Sequence, residues 1–158
     1  MLPNHWKDVA RIYQQGIQTG YATFEKEIPT WEKWNDSHLK TCRLIAQLEA
    51  EIVGWAALSP VSSRSVYGGV AEVSIYIAVN QRGKNIGNIL LKELISESEK
   101  NQFWTLQSGI FPENIGSIKL HENHGFRQIG FREKVGNLED IWKDNVLFER
   151  RSKIIGID

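Results

Sequence analysis

Ala71-Glu72-Val73-Ser74-Ile75-Tyr76-Ile77-Ala78-Val79 alternates apolar and polar residues, then runs through Asn80-Gln81-Arg82-Gly83-Lys84-Asn85-Ile86-Gly87-Asn88 into Ile89-Leu90-Leu91-Lys92-Glu93-Leu94-Ile95-Ser96-Glu97-Ser98-Glu99-Lys100. This pattern predicts a strand, a turn and a helix. Ile86, Ile89, Leu90, Leu94 and Ile95 fall at helical spacing. In the turn, Gly83 and Gly87 lack a Cβ, so their backbone can approach a ligand closely. Asn85 is one of the few other residue types that tolerates a left-handed conformation. The first amides of a helix have no internal acceptor and sit at the positive end of its dipole. Together these features predict a phosphate site, with Arg82 and Lys84 adding positive charge. An ordinary strand-to-helix turn with two glycines satisfies the same pattern, so the turn alone does not assign a function.

Working outward toward the C-terminus, Thr105–Ile110 reads as a strand that Phe111-Pro112-Glu113 breaks. Asn114 is positioned to cap a helix running to His124, with Gly125 as its C-cap. Phe126–Val135 and Ile141–Arg150 then predict a hairpin around Gly136–Asp140. Toward the N-terminus, Arg43–Leu48 and Ile52–Ser59 predict two strands, with Gly54 marking a bulge or a close approach. Ser62–Gly69 reads as a loop. Thr30 predicts an N-cap for a helix over Trp31–Lys40, and Lys7–Gly16 a short helix that Gly16 stops. The aromatic stretch between them, Ile17–Pro29, lacks a period and suits a ligand wall. The expected fold is α/β (α+β), a mixed and mostly antiparallel sheet flanked by helices.

Composition narrows the class of function. With 158 residues the chain has the length of one domain, taken as residues 1–158. Its formal net charge is zero, which argues against nucleic acid as a partner. No apolar run is long enough to span a membrane, and the first residues lack a signal-peptide pattern. Cys42 is the sole cysteine, so no internal disulfide forms and a reducing compartment fits; a cytoplasmic protein is expected. Cys42 itself reads as a small buried apolar group. No His/Cys/Asp cluster has metal-ligand spacing, so no metal is expected.

The Arg82–Gly87 turn after Glu72–Ile77, together with Asn114, Ser117, Leu120, His121 and Gly125-Phe126, resembles the acetyl-CoA motif of the GNAT N-acetyltransferase superfamily. Gly20-Tyr21-Ala22-Thr23-Phe24-Glu25, Trp55–Pro60, Val70–Ser74, Pro112-Glu113-Asn114 and Ile141-Trp142-Lys143-Asp144 resemble its phosphinothricin/methionine-sulfoximine acetyltransferase branch. The resemblance covers about Ile12 to Arg151. One departure stands out: the family turn usually carries glycine where this chain has Asn85.

The resemblance implies direct transfer of an acetyl group from acetyl-CoA to a primary amine of a small amino-acid-like acceptor, and a homodimer with the C-terminal hairpin as part of the contact. Arg82 to Asn88 would hold the diphosphate. Backbone groups of Ile75, Tyr76 and Ile77 would pair with pantetheine where the strand splays from its neighbour, with Asn114, Ser117 and Asn123 also facing the cofactor. Glu72 is the expected base, acting directly or through water, or else a counter-ion for the ammonium. On its own it is equally a solvated carboxylate on a strand face. His121 lies two helical turns after Asn114 and can donate to the thiolate or assist deprotonation; a helical His is also commonly a packing residue. Arg64 is expected to grip the acceptor's anion, with Ser63, Tyr67, Phe24, Glu25, Val73 and Ser74 around it. Acetylation of a peptide or protein N-terminus, or CoA binding without catalysis, remain the alternatives.

Overall fold

The computed structural model describes residues 1–157 of the chain. Helix α1 (Trp6–Ile17) buries Val9, Ile12, Tyr13 and Gly16 on one stripe. The predicted stop at Gly16 is not where it ends. Gly16 instead lies under Tyr76, and a Cβ there would sit 2.6 Å from ring carbons of that tyrosine. Helix α2 (Trp31–Ser37) opens on Thr30, whose Oγ accepts the Lys33 N–H. It stops short of the predicted Lys40. Ser37 Oγ and His38 Nδ1 both bond the Trp34 carbonyl, and the Leu39 N–H turns away to Leu58 O at 2.8 Å.

Strands β1 (Leu44–Leu48), β2 (Glu51–Pro60) and β3 (Val70–Ile77) form an antiparallel half-sheet. The register of β1 on β2 shifts between Ala46 and Gln47, opposite Gly54. Gly54 also allows a close approach, because a Cβ on it would meet Ile77 at 2.8 Å and Leu90 at 3.0 Å. Helix α3 (Ile86–Lys100) carries the chain across to β4 (Thr105–Ile110), which runs parallel to β3. Helix α4 (Ile115–Asn123) follows, and then the hairpin of β5 (Arg127–Leu138) and β6 (Ile141–Arg151). The turn of this hairpin is tighter than predicted. Glu139 and Asp140 make it alone, with φ 49° and 65°, the left-handed pair that suits the twist of two strands. Among the described residues the sheet has six strands in the order β1-β2-β3-β4-β6-β5, and only the β3–β4 joint is parallel.

β2 is buried on both faces, and each face anchors one cluster. On one side Leu90, Leu91 and Leu94 of α3 pack with Val53, Ala56, Leu58, Leu106 and Phe148. On the other, α1 and α2 enclose Trp34, Trp55, Ala57 and Ala78. Tyr76 stacks on Trp55 there, centroids 4.9 Å apart. This second cluster includes no buried residue of β4, β5 or β6, so on that face the far half of the sheet is left open. Among the described residues no helix is long and apolar enough to cross a membrane.

Candidate active site

The turn ahead of α3 has the backbone that its sequence predicts. Gly83 has φ +74° and Asn85 φ +66°, so both lie in the left-handed region. The first backbone bond of this helix is Ile89 N–H to Asn85 O at 3.2 Å. The amides of Ile86, Gly87 and Asn88 therefore have no partner within the helix. The Asn85 side chain does not cap them, because its Oδ1 accepts instead from Asn88 Nδ2 at 2.8 Å. Arg82 is exposed on the rim, and its Nε reaches Ile77 O at 3.4 Å. Lys84 turns outward to Gln81 Oε1 and is not part of the cleft wall.

β3 and β4 pair only over Val70–Glu72 against Thr105–Gln107. Beyond Glu72 the two strands part, and Val73 to Ile77 face Ser108 to Phe111 across a cleft of about 1390 Å³. Parallel strands that diverge leave backbone N–H and C=O groups of β3 without a ladder partner, as a polyamide arm such as pantetheine requires. The Tyr76 side chain turns away from the cleft's polar wall, since its ring packs on Trp55 and its hydroxyl donates to Ala22 O at 3.4 Å. Ser117, Asn123 and Asn114 stand on the other bank. Asn114 Oδ1 accepts the Ser117 N–H and so fixes the start of α4.

Glu72 sits where the strands begin to part. Its cross-strand neighbours are Ser59 on β2 and Gln107 on β4. The carboxylate is reached by solvent from the cleft, yet the walls remove much of its hydration. Burial pushes its pKa above the ordinary carboxylate value, while the Gly109 backbone and the Arg132 charge pull it down. A carboxylate tuned this way is a better base than a fully solvated one. Phe24 and Glu25 line the same cleft from the 18–29 loop. Phe24 packs edge-on against Phe111 at 4.6 Å and lies against Gly136 of β5. A Cβ on Gly136 would fall 2.4 Å from that ring.

His121 is 1 % exposed and packs edge-on against Phe126 at 4.9 Å. Its Nδ1 lies 2.8 Å from the Ser117 carbonyl, which can only accept, so Nδ1 carries the proton. Nε2 is buried, without a partner among the described residues, and holds a lone pair. Burial pushes the imidazole pKa down, more than the Ser117 carbonyl raises it. His121 is therefore a neutral acceptor in this structure. The expected donation to a thiolate would need the imidazolium that burial disfavours.

Ser63, Arg64 and Tyr67 are not brought to the cleft wall. Their loop closes on itself: Arg64 N–H donates to Ser62 Oγ, Tyr67 N–H to Arg64 O, and the Arg64 guanidinium lies 5.5 Å from the Tyr67 ring. The wall near Glu72 uses residues that the sequence did not single out, namely His38, Gln107, Phe111, Arg132, Gly136 and Asn145. No local signal marks them, because each is placed by register or packing between distant segments.

The sequence model described as Acetyltransferase (GNAT) family matches residues 6–126. A phosphinothricin N-acetyltransferase of Alcaligenes faecalis is 30 % identical over 148 residues, covering 90 % of this chain and 75 % of the relative. The crystal structure of ribosomal-protein-alanine N-acetyltransferase from Brucella melitensis is 27 % identical, with a TM-score of 0.87 over 96 % of this chain and 97 % of that one. A GNAT superfamily phosphinothricin acetyltransferase from Sinorhizobium meliloti, in complex with AcCoA, shares the fold with a TM-score of 0.85 at 23 % identity, covering 100 % of this chain and 94 % of that one. The family match runs through the splayed strand, the open helix start and the capped α4, and the chain belongs to the GNAT acetyltransferases.

Proposed function

We propose that this single acetyltransferase domain moves the acetyl group of acetyl-CoA to the primary amine of a small amino-acid-like acceptor of the phosphinothricin, methionine sulfoximine or methionine sulfone type. The observation that carries this reading is the opening between β3 and β4. It joins the amide cradle of α3 to the Glu72 carboxylate in one cleft. The names of relatives such as the Alcaligenes enzyme support the acceptor class.

When bound, acetyl-CoA supplies a thioester whose C–S bond breaks as the new N–C bond forms, and CoA leaves as a thiolate that takes up the proton the acylated nitrogen sheds. The chain's own groups prepare that exchange. Amides of Ile86 to Asn88 and the Arg82 guanidinium hold the diphosphate. The free backbone of Ile75 and Ile77 aligns the arm, with Asn114, Ser117 and Asn123 on the facing bank. Glu72 takes the proton from the acceptor ammonium, directly or through water, because an ammonium has no lone pair to attack with. Val73 and Ser74 line the acceptor end, and Phe24 and Glu25 cover it. The unpaired Nε2 of His121 is left to accept a hydrogen bond from a bound group on the α4 side.

A second reading, acetylation of a protein N-terminus, draws support from the likeness to the Brucella enzyme. The Phe24 contact across the cleft, which narrows entry for a polypeptide, weighs against it. The protein is further proposed to act in the cytoplasm as a homodimer. The exposed apolar residues of the hairpin, Phe131, Ile141 and Trp142, would form part of the contact. Thiol release from acetyl-CoA, measured with a panel of amino acids, amines and peptides, tests the reading. Turnover on methionine sulfone or phosphinothricin is expected. Turnover on peptides alone would favour the second reading, and CoA binding with no turnover on any amine would leave a non-catalytic binding domain.

A further inference from the structure

β5 does not run straight along β6. Its register breaks between Arg132 and Gly136, where three residues of β5 stand opposite the single residue Asp144 that lies between the partners Asn145 and Lys143. Lys134 takes a left-handed conformation at φ 45°, and its N–H donates to the Asp144 carboxylate at 2.7 Å. Such a bulge bends a strand and re-aims its side chains. Here Arg132, Val135 and Gly136 all reach the cleft wall.

Two cations flank this end of the cleft, and they differ. Lys143 is bound by Glu113 at 2.9 Å and lies 5.9 Å from the Phe111 ring centroid. Arg132 has no such partner. Seven ion pairs form among the described residues, and none includes it. Its charge acts on the Glu72 carboxyl across the cleft, less than burial does, and the two groups do not make a direct pair. Asn145, the β6 partner of Arg132, is 8 % exposed and has no side-chain hydrogen bond among the described residues. Its amide lies over Gly109, where a Cβ would sit 2.8 Å from Oδ1, and it opens to the cleft. A buried amide and an unpaired guanidinium beside it form a donor set for a planar anion. The carboxylate across from them suits a cation.

We propose that Arg132, presented by the β5 bulge, and Asn145 beside it bind the carboxylate of a zwitterionic α-amino acid whose ammonium lies at Glu72. This rests on the acetyl-transfer reading above and names the groups that select its acceptor. It moves the anion site from Arg64, in the self-closed loop, to β5. The gap between Glu72 and Arg132 is too wide for a direct pair yet close enough for their charges to interact, and the head group of an α-amino acid bridges two such charges. Each contact is charge-assisted, and a hydrogen bond to a charged group is stronger than one between neutral groups.

The experiment compares kcat/KM for methionine sulfone with that for the amine lacking its carboxylate, in the wild type and in Arg132→Gln, Arg132→Lys, Asn145→Leu and Arg64→Gln. The ratio between the two acceptors is expected to fall about ten- to hundredfold in Arg132→Gln, mainly through the KM of the amino acid. A partial recovery in Arg132→Lys is expected, because charge returns without the planar fork. Asn145→Leu should lower the ratio by a smaller factor. An unchanged ratio in Arg132→Gln, or a fall in Arg64→Gln instead, would overturn the assignment while leaving acetyl transfer intact. A wild type that prefers the decarboxylated amine would also overturn it. A wild type that acetylates neither acceptor would remove the functional reading itself. Arg132 is exposed and unpaired, so its variants are expected to fold, and circular dichroism checks this for each.

Discussion

The proposed diphosphate cradle is made by consecutive residues, Arg82 to Asn88, whereas the chamber around Glu72 draws on β2 to β6 and on the 18–29 loop. The cradle depends on local properties: two left-handed residues, a helix start and open amides. The chamber depends on strand register, on a bulge, and on one aromatic ring that crosses from a distant loop. One end of the cleft is thus fixed by backbone geometry and suits a constant ligand. The other is fixed by side chains on independent segments, so it can vary without disturbing the first.

The sharpest test of this separation is Glu72→Gln. It removes the proposed base and keeps the shape, so kcat is expected to fall on the order of 10²- to 10⁴-fold. The KM for acetyl-CoA should change little. In the wild type, burial raises the Glu72 pKa above its ordinary value of 4.5. The carboxyl therefore stays protonated to a higher pH than a solvated one, and the rate is lost as pH falls through that raised value. A pH profile of kcat/KM should show this acid limb, and the residual activity of Glu72→Gln should lack it.

Gly83→Val tests the other end. A β-branched residue at φ +74° is strained by about 1–2 kcal/mol, so acetyl-CoA affinity by calorimetry should weaken roughly tenfold. The decisive contrast is that acceptor selectivity should not move. If Gly83→Val and Arg132→Gln alter the same parameters, the two ends are coupled and the separation fails.

Gly136→Ala adds a Cβ where the Phe24 ring lies. The ring is the free end of a partly exposed side chain and can swing away. A stability change within about 1 kcal/mol and a severalfold higher acceptor KM are expected. Thermal denaturation and steady-state kinetics check the two parts. Smallest of all should be Asn85→Gly. The backbone there is already left-handed, and the asparagine side chain bonds Asn88 rather than capping the helix. Affinity for acetyl-CoA is expected to be equal or better, by at most about threefold, as a few tenths of a kcal/mol implies. A large loss would mean that the Asn85–Asn88 bridge holds the cradle open.

The same division explains what the sequence made legible. Strand, turn and helix over Ala71–Lys100, the Thr30 and Asn114 caps, and β4 from Thr105 to Ile110 were readable because each signal is contained within a few residues. Glu72 was legible as a residue of the strand that leads into the turn, while its reading as a base came from the resemblance. Arg64 lies off the cleft wall, where the sequence could not show it, because a cation in a polar loop looks the same whether it faces a ligand or its own tyrosine. Arg132 could not be found, since its direction depends on the break held by Lys134 and Asp144. Gly16 was read as a stop when its role is to admit Tyr76, a residue brought there by tertiary packing. His121 was visible as a residue but not as a tautomer, which the Ser117 carbonyl fixes.

α3 leads the chain from one half-sheet to the other, and its inner face fills the main core through Leu90, Leu91 and Leu94. The open amides are thus the tip of a beam whose shaft is clamped in the protein interior. Loosening the clamp re-aims the tip, so a truncation such as Leu94→Ala, two turns along the shaft, acts on cofactor grip as well as on folding. In this architecture, resistance to heat and tightness for CoA are inherited through one rigid rod.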